Sequence, residues 1–197
     1  MNIEQVKSIE ELNEIFEFFK IVYPKIDFSQ QRFLGQWTEH LNKNPELLLY
    51  ARDGDIICAA TLGTSGEGDK HIMVGEGVLD EYWNTGIFEA LFIELEKRAK
   101  KSGYIYMGVA IGEGQEEFYA KLGFTGRMLI QSEKHSIDDL KKVIEGNKNI
   151  ELSHTRIHDG YINQLWLHVS ILDKELKKKF EQDLGDCWCQ IIVGKGI

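Results

Sequence analysis

The stretch from Lys70 to Ala110 constrains this chain more than any other. It begins with "KHIMVGEGVL", which alternates apolar and other residues, and passes through a polar turn, "DEYWNTG". Next comes "IFEALFIELEKRAKK", in which Ile87, Leu91, Leu95 and Ala99 recur every four residues with Phe88 and Phe92 beside them. Gly103 and the β-rich run "YIYMGVA" follow. Residues four apart line one helix face, and glycine stops helices because it accepts the left-handed conformation. Strand, helix and strand in this order predict a parallel pair joined by a right-handed crossover. Ligands of such sheets gather beyond the carboxyl ends of parallel strands, here the turn ending at Gly86. A glycine in a turn that opens a helix leaves backbone N–H groups aimed outward, a setting that suits an anion.

The flanking sequence supplies the rest of a sheet. Met1 to Val6 reads as a short strand. Ser8 with Glu11 forms a capping box for a helix running to about Val22, and a second helix with Phe33, Trp37 and Leu41 starts after Ser29. "ELLLYARDGDIICAATLG" is a hairpin around Asp53-Gly54. After Ala110 come a short helix, "GQEEFYAKLG", and a strand, "FTGRMLIQ". Beyond Gln131 the pattern restarts. A helix covers about Ser136 to Glu145, and a long hairpin turns at Asp159-Gly160. Leu172, Leu176, Phe180 and Leu184 mark a further helix, and "CWCQIIVG" a closing strand. The expectation is an α/β fold: a mixed sheet with helices on both faces over residues 1–131. A small α-β-β-α-β unit over residues 132–197 is read as appended, although spacing equally allows it to complete the first sheet.

Charge narrows the partners. The chain of 197 residues has a formal net charge of −9. Residues 132–197 carry 10 Lys+Arg against 11 Asp+Glu, and the first 131 carry 13 against 21. That balance argues against nucleic acid and anionic membranes and would draw in a cationic acceptor such as an amine. No apolar run reaches the ~18 residues a membrane span needs, and the first residues lack a signal-peptide pattern. Three cysteines do not make a disulfide framework, so a cytoplasmic location is expected. His154, His158 and His168 lie on one hairpin without a metal-specific spacing, and no metal is expected. Cys187 and Cys189 read as small core residues, and Lys177, Lys178 and Lys179 as a solvated helix edge.

The order of elements, the turn before the long helix and "EEFYAKLGF" at Glu116–Phe124 resemble the GNAT superfamily of N-acetyltransferases over about residues 1–131. The most specific piece is Phe118 to Phe124, close to the family's tyrosine-x-x-x-Gly-Phe segment. The resemblance implies direct acyl transfer from acetyl-CoA to a primary amine, carried on a small molecule or a peptide. The family writes Gln/Arg-x-x-Gly-x-Gly/Ala in its phosphate turn, where this chain has Trp83-Asn84-Thr85-Gly86-Ile87-Phe88. Gly86 is kept, Trp83 replaces the basic or amide residue, and Phe88 replaces the small one. A benzyl group there either crowds the ligand or packs with Phe92. Gly112 stands where the family usually has asparagine.

Particular residues follow from this. Tyr119 is the candidate acid, because a phenol is protonated at neutral pH and can donate to a departing thiolate. Its other reading is a ring packed beside Phe118. Glu76 is the candidate base. Alternation puts it on one strand face with Ile72, Val74 and Val78, and burial of that face would raise its pKa toward neutrality. The neighbouring Gly75 and Gly77 fit a ligand lying against the strand, or a bulge that turns Glu76 to solvent. The amides of Asn84, Thr85, Gly86 and Ile87 are candidate phosphate donors. The backbone of Val78 and Leu79 is assigned to the cofactor's amide-bearing arm by the resemblance. Two rival readings are a degenerate module that binds without catalysis, and a C-terminal unit that forms an interaction or homodimer surface through Trp166 and Trp188.

Overall fold

The computed structural model describes residues 1–26, 32–65, 69–112, 114–158, 160–169 and 174–197. Ser29, Asp159 and Leu172, used above to place element ends, lie outside them, as do the side chains of Phe33 and His158. The chain divides into two compact units, Met1–Met107 with Gly196–Ile197, and Gly108–Lys195.

The first unit runs β1 (Asn2–Gln5), α1 (Ile9–Val22), α2 (Arg32–Lys43), β2 (Leu48–Asp53), β3 (Ile56–Thr64), β4 (His71–Val78), α3 (Ile87–Lys101) and the start of β5 (Tyr106–Ala110). Strands β1 to β4 are antiparallel neighbours in chain order. Asp53 pairs with Ile56, so the hairpin loop is Gly54-Asp55, one residue later than the sequence suggests. Gly54 takes a φ of 59°, as the first position of a tight hairpin loop requires. Ile105 N–H donates to Lys70 C=O at 2.9 Å, and the rings of His71 and Tyr106 lie 5.2 Å apart. β4 and β5 therefore start side by side and run the same way, as the strand–helix–strand order requires.

Both sheet faces are covered. Leu12, Ile15, Phe18 and Phe19 of α1 and Trp37 of α2 pack on Leu48, Tyr50, Ala60 and Leu62. Helix α3 packs against β2 and β3. Its predicted stripe, Ile87, Phe88, Leu91, Phe92, Leu95 and Ala99, is buried throughout. Ser8 caps α1 by accepting from Glu11 N–H at 3.2 Å, while the Glu11 carboxylate accepts from Lys7 N–H at 2.7 Å. Gly103 has a φ of 84° and its N–H closes α3 on Lys100 C=O.

The second unit holds the end of β5, α4 (Glu116–Lys121), β6 (Thr125–Ser132), α5 (Ile137–Lys142), β7 (Glu151–His158), β8 (Ile162–His168), α6 (Lys174–Leu184) and β9 (Trp188–Gly196). The elements after Gln131 are the predicted α-β-β-α-β series. Their pairing, however, joins them to what precedes. The strand order is β5-β9-β6-β8-β7. β6 is bonded to β9 on one edge and to β8 on the other, both antiparallel. Residues 108–131 thus share a unit with the C-terminal elements, whereas the sequence grouping placed them with the N-terminal part. Met128, Ile130, Leu140, Leu165, Leu167, Leu176, Phe180 and Cys189 form this unit's own core beneath α5 and α6.

Candidate active site

The turn from Leu79 to Gly86 is built by short-range bonds. Tyr82 N–H donates to Leu79 C=O at 2.9 Å, Trp83 N–H to Asp80 C=O at 3.3 Å, and Thr85 N–H to Tyr82 C=O at 3.2 Å. Tyr82 also ties the turn to the β2–β3 hairpin, its hydroxyl donating to Asp53 Oδ2 at 3.0 Å. Gly86, the residue that caps α3, has a φ of 81°, and a Cβ built on it would meet nothing within 4 Å. The glycine is needed for its backbone angle, and the space beside it is open.

The four predicted amides differ. Among the described residues, no acceptor is bonded to the N–H of Asn84 or Gly86, both exposed. Ile87 N–H reaches Thr85 Oγ1 only at 3.5 Å. The amide of Thr85, in contrast, is spent within the turn, and its hydroxyl donates to the same Tyr82 carbonyl at 2.8 Å. Phe88, the residue expected either to crowd this turn or to pack, packs. It is 1 % exposed, with its ring 5.3 Å from Trp83 and 5.3 Å edge-on from Phe92. The two aromatic departures from the family pattern thus pack on each other, Phe88 buried and Trp83 partly exposed.

β4 leads into this turn. Leu79 N–H donates to Cys58 C=O at 3.0 Å, so odd residues of this segment bond toward β3. By alternation, Val78 and Glu76 present N–H and C=O on the opposite edge. Ile72, Val74, Glu76 and Val78 share a face as predicted, and all four are buried. Glu76 is 5 % exposed and sits opposite Thr61 without a register shift, so no bulge on the β3 side turns it to solvent. The single proton of the Tyr23 hydroxyl is shared between Glu76 C=O at 2.9 Å and Glu76 Oε1 at 3.2 Å.

The glycines flanking Glu76 serve a purpose other than the expected ligand contact. A Cβ on Gly77 would stand 3.1 Å from Phe19 Cε1, and one on Gly75 would stand 3.5 Å from Trp37 Cζ2. The space they leave is filled by aromatics of α1 and α2. Tyr23 itself escaped the sequence reading. The available signal was its spacing of four residues from Phe19, which continues the α1 stripe to the helix end.

In the second unit, Tyr119 lies on α4 and is fully buried, its ring edge-on to Phe118 at 5.2 Å and to Phe124 at 5.5 Å. Phe124 N–H donates to Tyr119 C=O at 3.0 Å, which fixes the Tyr119–Phe124 segment as one local structure. Gly112 N–H donates to Gln115 Oε1 at 2.7 Å. A cleft of about 210 Å³ beside it is lined by Glu116, Lys177, Lys178, Glu181 and Gln190. His154 stacks on Trp166 at 5.3 Å, and burial with Arg127 and Arg156 nearby lowers its pKa.

A larger cleft in the first unit, about 540 Å³, involves none of the predicted site residues. Its polar groups partner one another. His40 Nε2 accepts from Ser65 N–H at 2.8 Å, which leaves the ring proton on Nδ1 to donate to Gln36 C=O at 3.1 Å. Asn44 donates to the Tyr104 hydroxyl at 3.1 Å.

The sequence profile of the Acetyltransferase (GNAT) family matches residues 9–124. The chain belongs to the GNAT acetyltransferase family. No curated protein matches it in sequence. Among solved structures it is similar to an N-acetyltransferase from Staphylococcus aureus Mu50, with a TM-score of 0.54, 14% identity, and coverage of 86% of this chain and 98% of that one. A ribosomal-protein-alanine N-acetyltransferase from Brucella melitensis gives 0.51 and 13% identity over 85% and 98%. The Salmonella typhimurium protein yncA, solved with its cofactor acetyl-CoA, gives 0.51 and 12% identity over 87% and 94%. At these identities the structural likeness speaks for the GNAT fold, in which a mixed sheet is flanked by helices.

Proposed function

We propose that this chain moves an acetyl group from acetyl-CoA to a primary amine, on a small molecule or a peptide, by direct transfer. The observation that carries the reading is the turn opening α3. Its Gly86 is left-handed beside open space, the exposed Asn84 and Gly86 have no acceptor bonded to their amides among the described residues, and Phe88 is folded into the core. Oriented amides at a helix N-terminus, aided by the helix dipole, suit a diphosphate without needing a basic side chain. Asn84, Gly86 and Ile87 would hold that group, with Thr85 shaping the turn. Val78, whose main-chain groups face away from β3, would pair with the amide-bearing arm, while Leu79 N–H holds the end of β4 to Cys58 C=O.

Acetyl-CoA supplies an activated thioester carbonyl, and the chain supplies proton management. Glu76, a buried carboxylate, takes the proton from an ammonium acceptor so that a free amine can attack. Tyr119, held in its aromatic box, donates to the departing sulfur. The acidic balance of the first 131 residues favours approach of a cationic acceptor.

The direct test is titration with acetyl-CoA followed by melting. Cofactor at about a hundred times its Kd stabilises by roughly 2.7 kcal/mol. No stabilisation at millimolar acetyl-CoA would defeat the reading, and binding without turnover across an amine panel would favour a non-catalytic module. With an acceptor in hand, Glu76→Gln and Tyr119→Phe should each lower kcat by about 10²-fold or more.

A further inference from the structure

The proposed reaction leaves Tyr23 without a role, yet its side chain is held in place by several independent contacts. Tyr23 closes α1, its N–H bonding to Phe19 C=O at 2.8 Å. Its ring stacks on Phe19 with centroids 6.2 Å apart and planes 9° from parallel. Phe19 in turn lies close over β4 because Gly77 has no Cβ. This chain of contacts delivers one hydroxyl to two acceptors on one residue, Glu76 C=O at 2.9 Å and Glu76 Oε1 at 3.2 Å. The carboxyl is thereby tied back toward its own strand.

We propose that Tyr23 is a positioning residue for Glu76, holding its carboxylate in one conformation and in the ionised form that can accept the ammonium proton. This rests on Glu76 acting as the base. A buried carboxylate favours its neutral form unless a donor stabilises the charge, and a phenol supplies such a donor without adding charge of its own. Burial and the neighbouring carboxylate both push the Tyr23 phenol upward, so it remains a donor wherever the enzyme works. Within the first unit Tyr23 faces Glu76 from the end of α1 and Thr61 is its register partner on β3, and both are uncharged at neutral pH. A protein relying on burial alone would hold a carboxyl of uncertain protonation there.

Tyr23→Phe keeps the stacked ring and removes only the hydroxyl, so melting should show a folded protein. With saturating acetyl-CoA and a working amine acceptor, kcat should fall by about tenfold while KM for acetyl-CoA stays within about twofold. The acidic limb of kcat/KM against pH should move up by about one unit, because the ionised carboxylate has lost a donor. Added to Glu76→Gln, the same change should alter kcat by less than about twofold, since no carboxylate remains to be held. Unchanged kcat and limb in Tyr23→Phe, with Glu76→Gln impaired, would overturn the positioning role alone. Full turnover in Glu76→Gln would overturn the base and the positioning role together.

Discussion

At Gly77 the missing side chain is a packing requirement. A methyl group there would stand 3.1 and 3.3 Å from Phe19 ring carbons and 3.4 Å from Phe18, so those rings would have to give by a few tenths of an ångström. Gly77→Ala should cost about 1–3 kcal/mol in urea unfolding, while Gly75→Ala, whose Cβ meets Trp37 at an ordinary 3.5 Å, should cost clearly less. Thr61 is the opposite case. It is fully buried, and among the described residues its hydroxyl has no partner. An unsatisfied buried hydroxyl costs about 1–3 kcal/mol, so the isosteric Thr61→Val should raise the melting temperature, by about 2–4 °C per kcal/mol. The sequence made the two glycines visible as places of close approach, and alternation placed Glu76 correctly among Ile72, Val74 and Val78. It could not say what approaches. That depends on which helices fold over β4, information carried by residues some 40–60 positions earlier.

Among the elements, α3 was the most legible, because its stripe, opening glycine and closing glycine agree with one another. The direction in which Phe88 points was not legible. A helix repeat of 3.6 places it at the margin of the buried stripe, and only its contacts with Trp83 and Phe92 decide. Phe88→Ala should therefore cost about 3–5 kcal/mol as a core cavity and should leave acetyl-CoA affinity of the folded fraction no tighter. Tighter binding would mean that the ring crowds the turn after all. Helix α5 illustrates capping at an exposed site. Asp139 N–H donates to Ser136 Oγ, whose hydroxyl donates back to Asp139 Oδ2, while Lys142 pairs with Oδ1. These partners, Lys142 foremost, depress the Asp139 carboxyl to about 2 from 3.8. A depressed acid stabilises above its unfolded value and loses that contribution as pH falls through its folded value. Amide protection at the start of α5 should therefore decline between about pH 4 and 2, and Asp139→Asn should flatten that dependence.

For the molecule as a whole, pairing partners were the least legible level. The α-β-β-α-β series after Gln131 was readable from periodicity, but a period states only that a strand exists. Its neighbours are settled by register and by which edges are left to cover. Here β9 lies between β5 and β6, and Ile111 N–H reaches Ile191 C=O at 3.3 Å. Deleting residues 132–197 would strip β6 of both its neighbours, β8 and β9. The shortened protein is expected to aggregate, as light scattering would show. A monodisperse, cooperatively melting product would mean that the region up to Gln131 is self-sufficient.

The place of β9 also sets a timetable for the ribosome. β5 and β6 emerge early but cannot acquire the strand that separates them until residues 188–196 have left the exit tunnel. For the translation of about 60 residues the nascent chain must carry that gap without sealing it wrongly, for instance by zipping β5 directly onto β6. Slow codons over residues 133–196 would lengthen this exposure, making yield in the cell depend on the pace of translation through them.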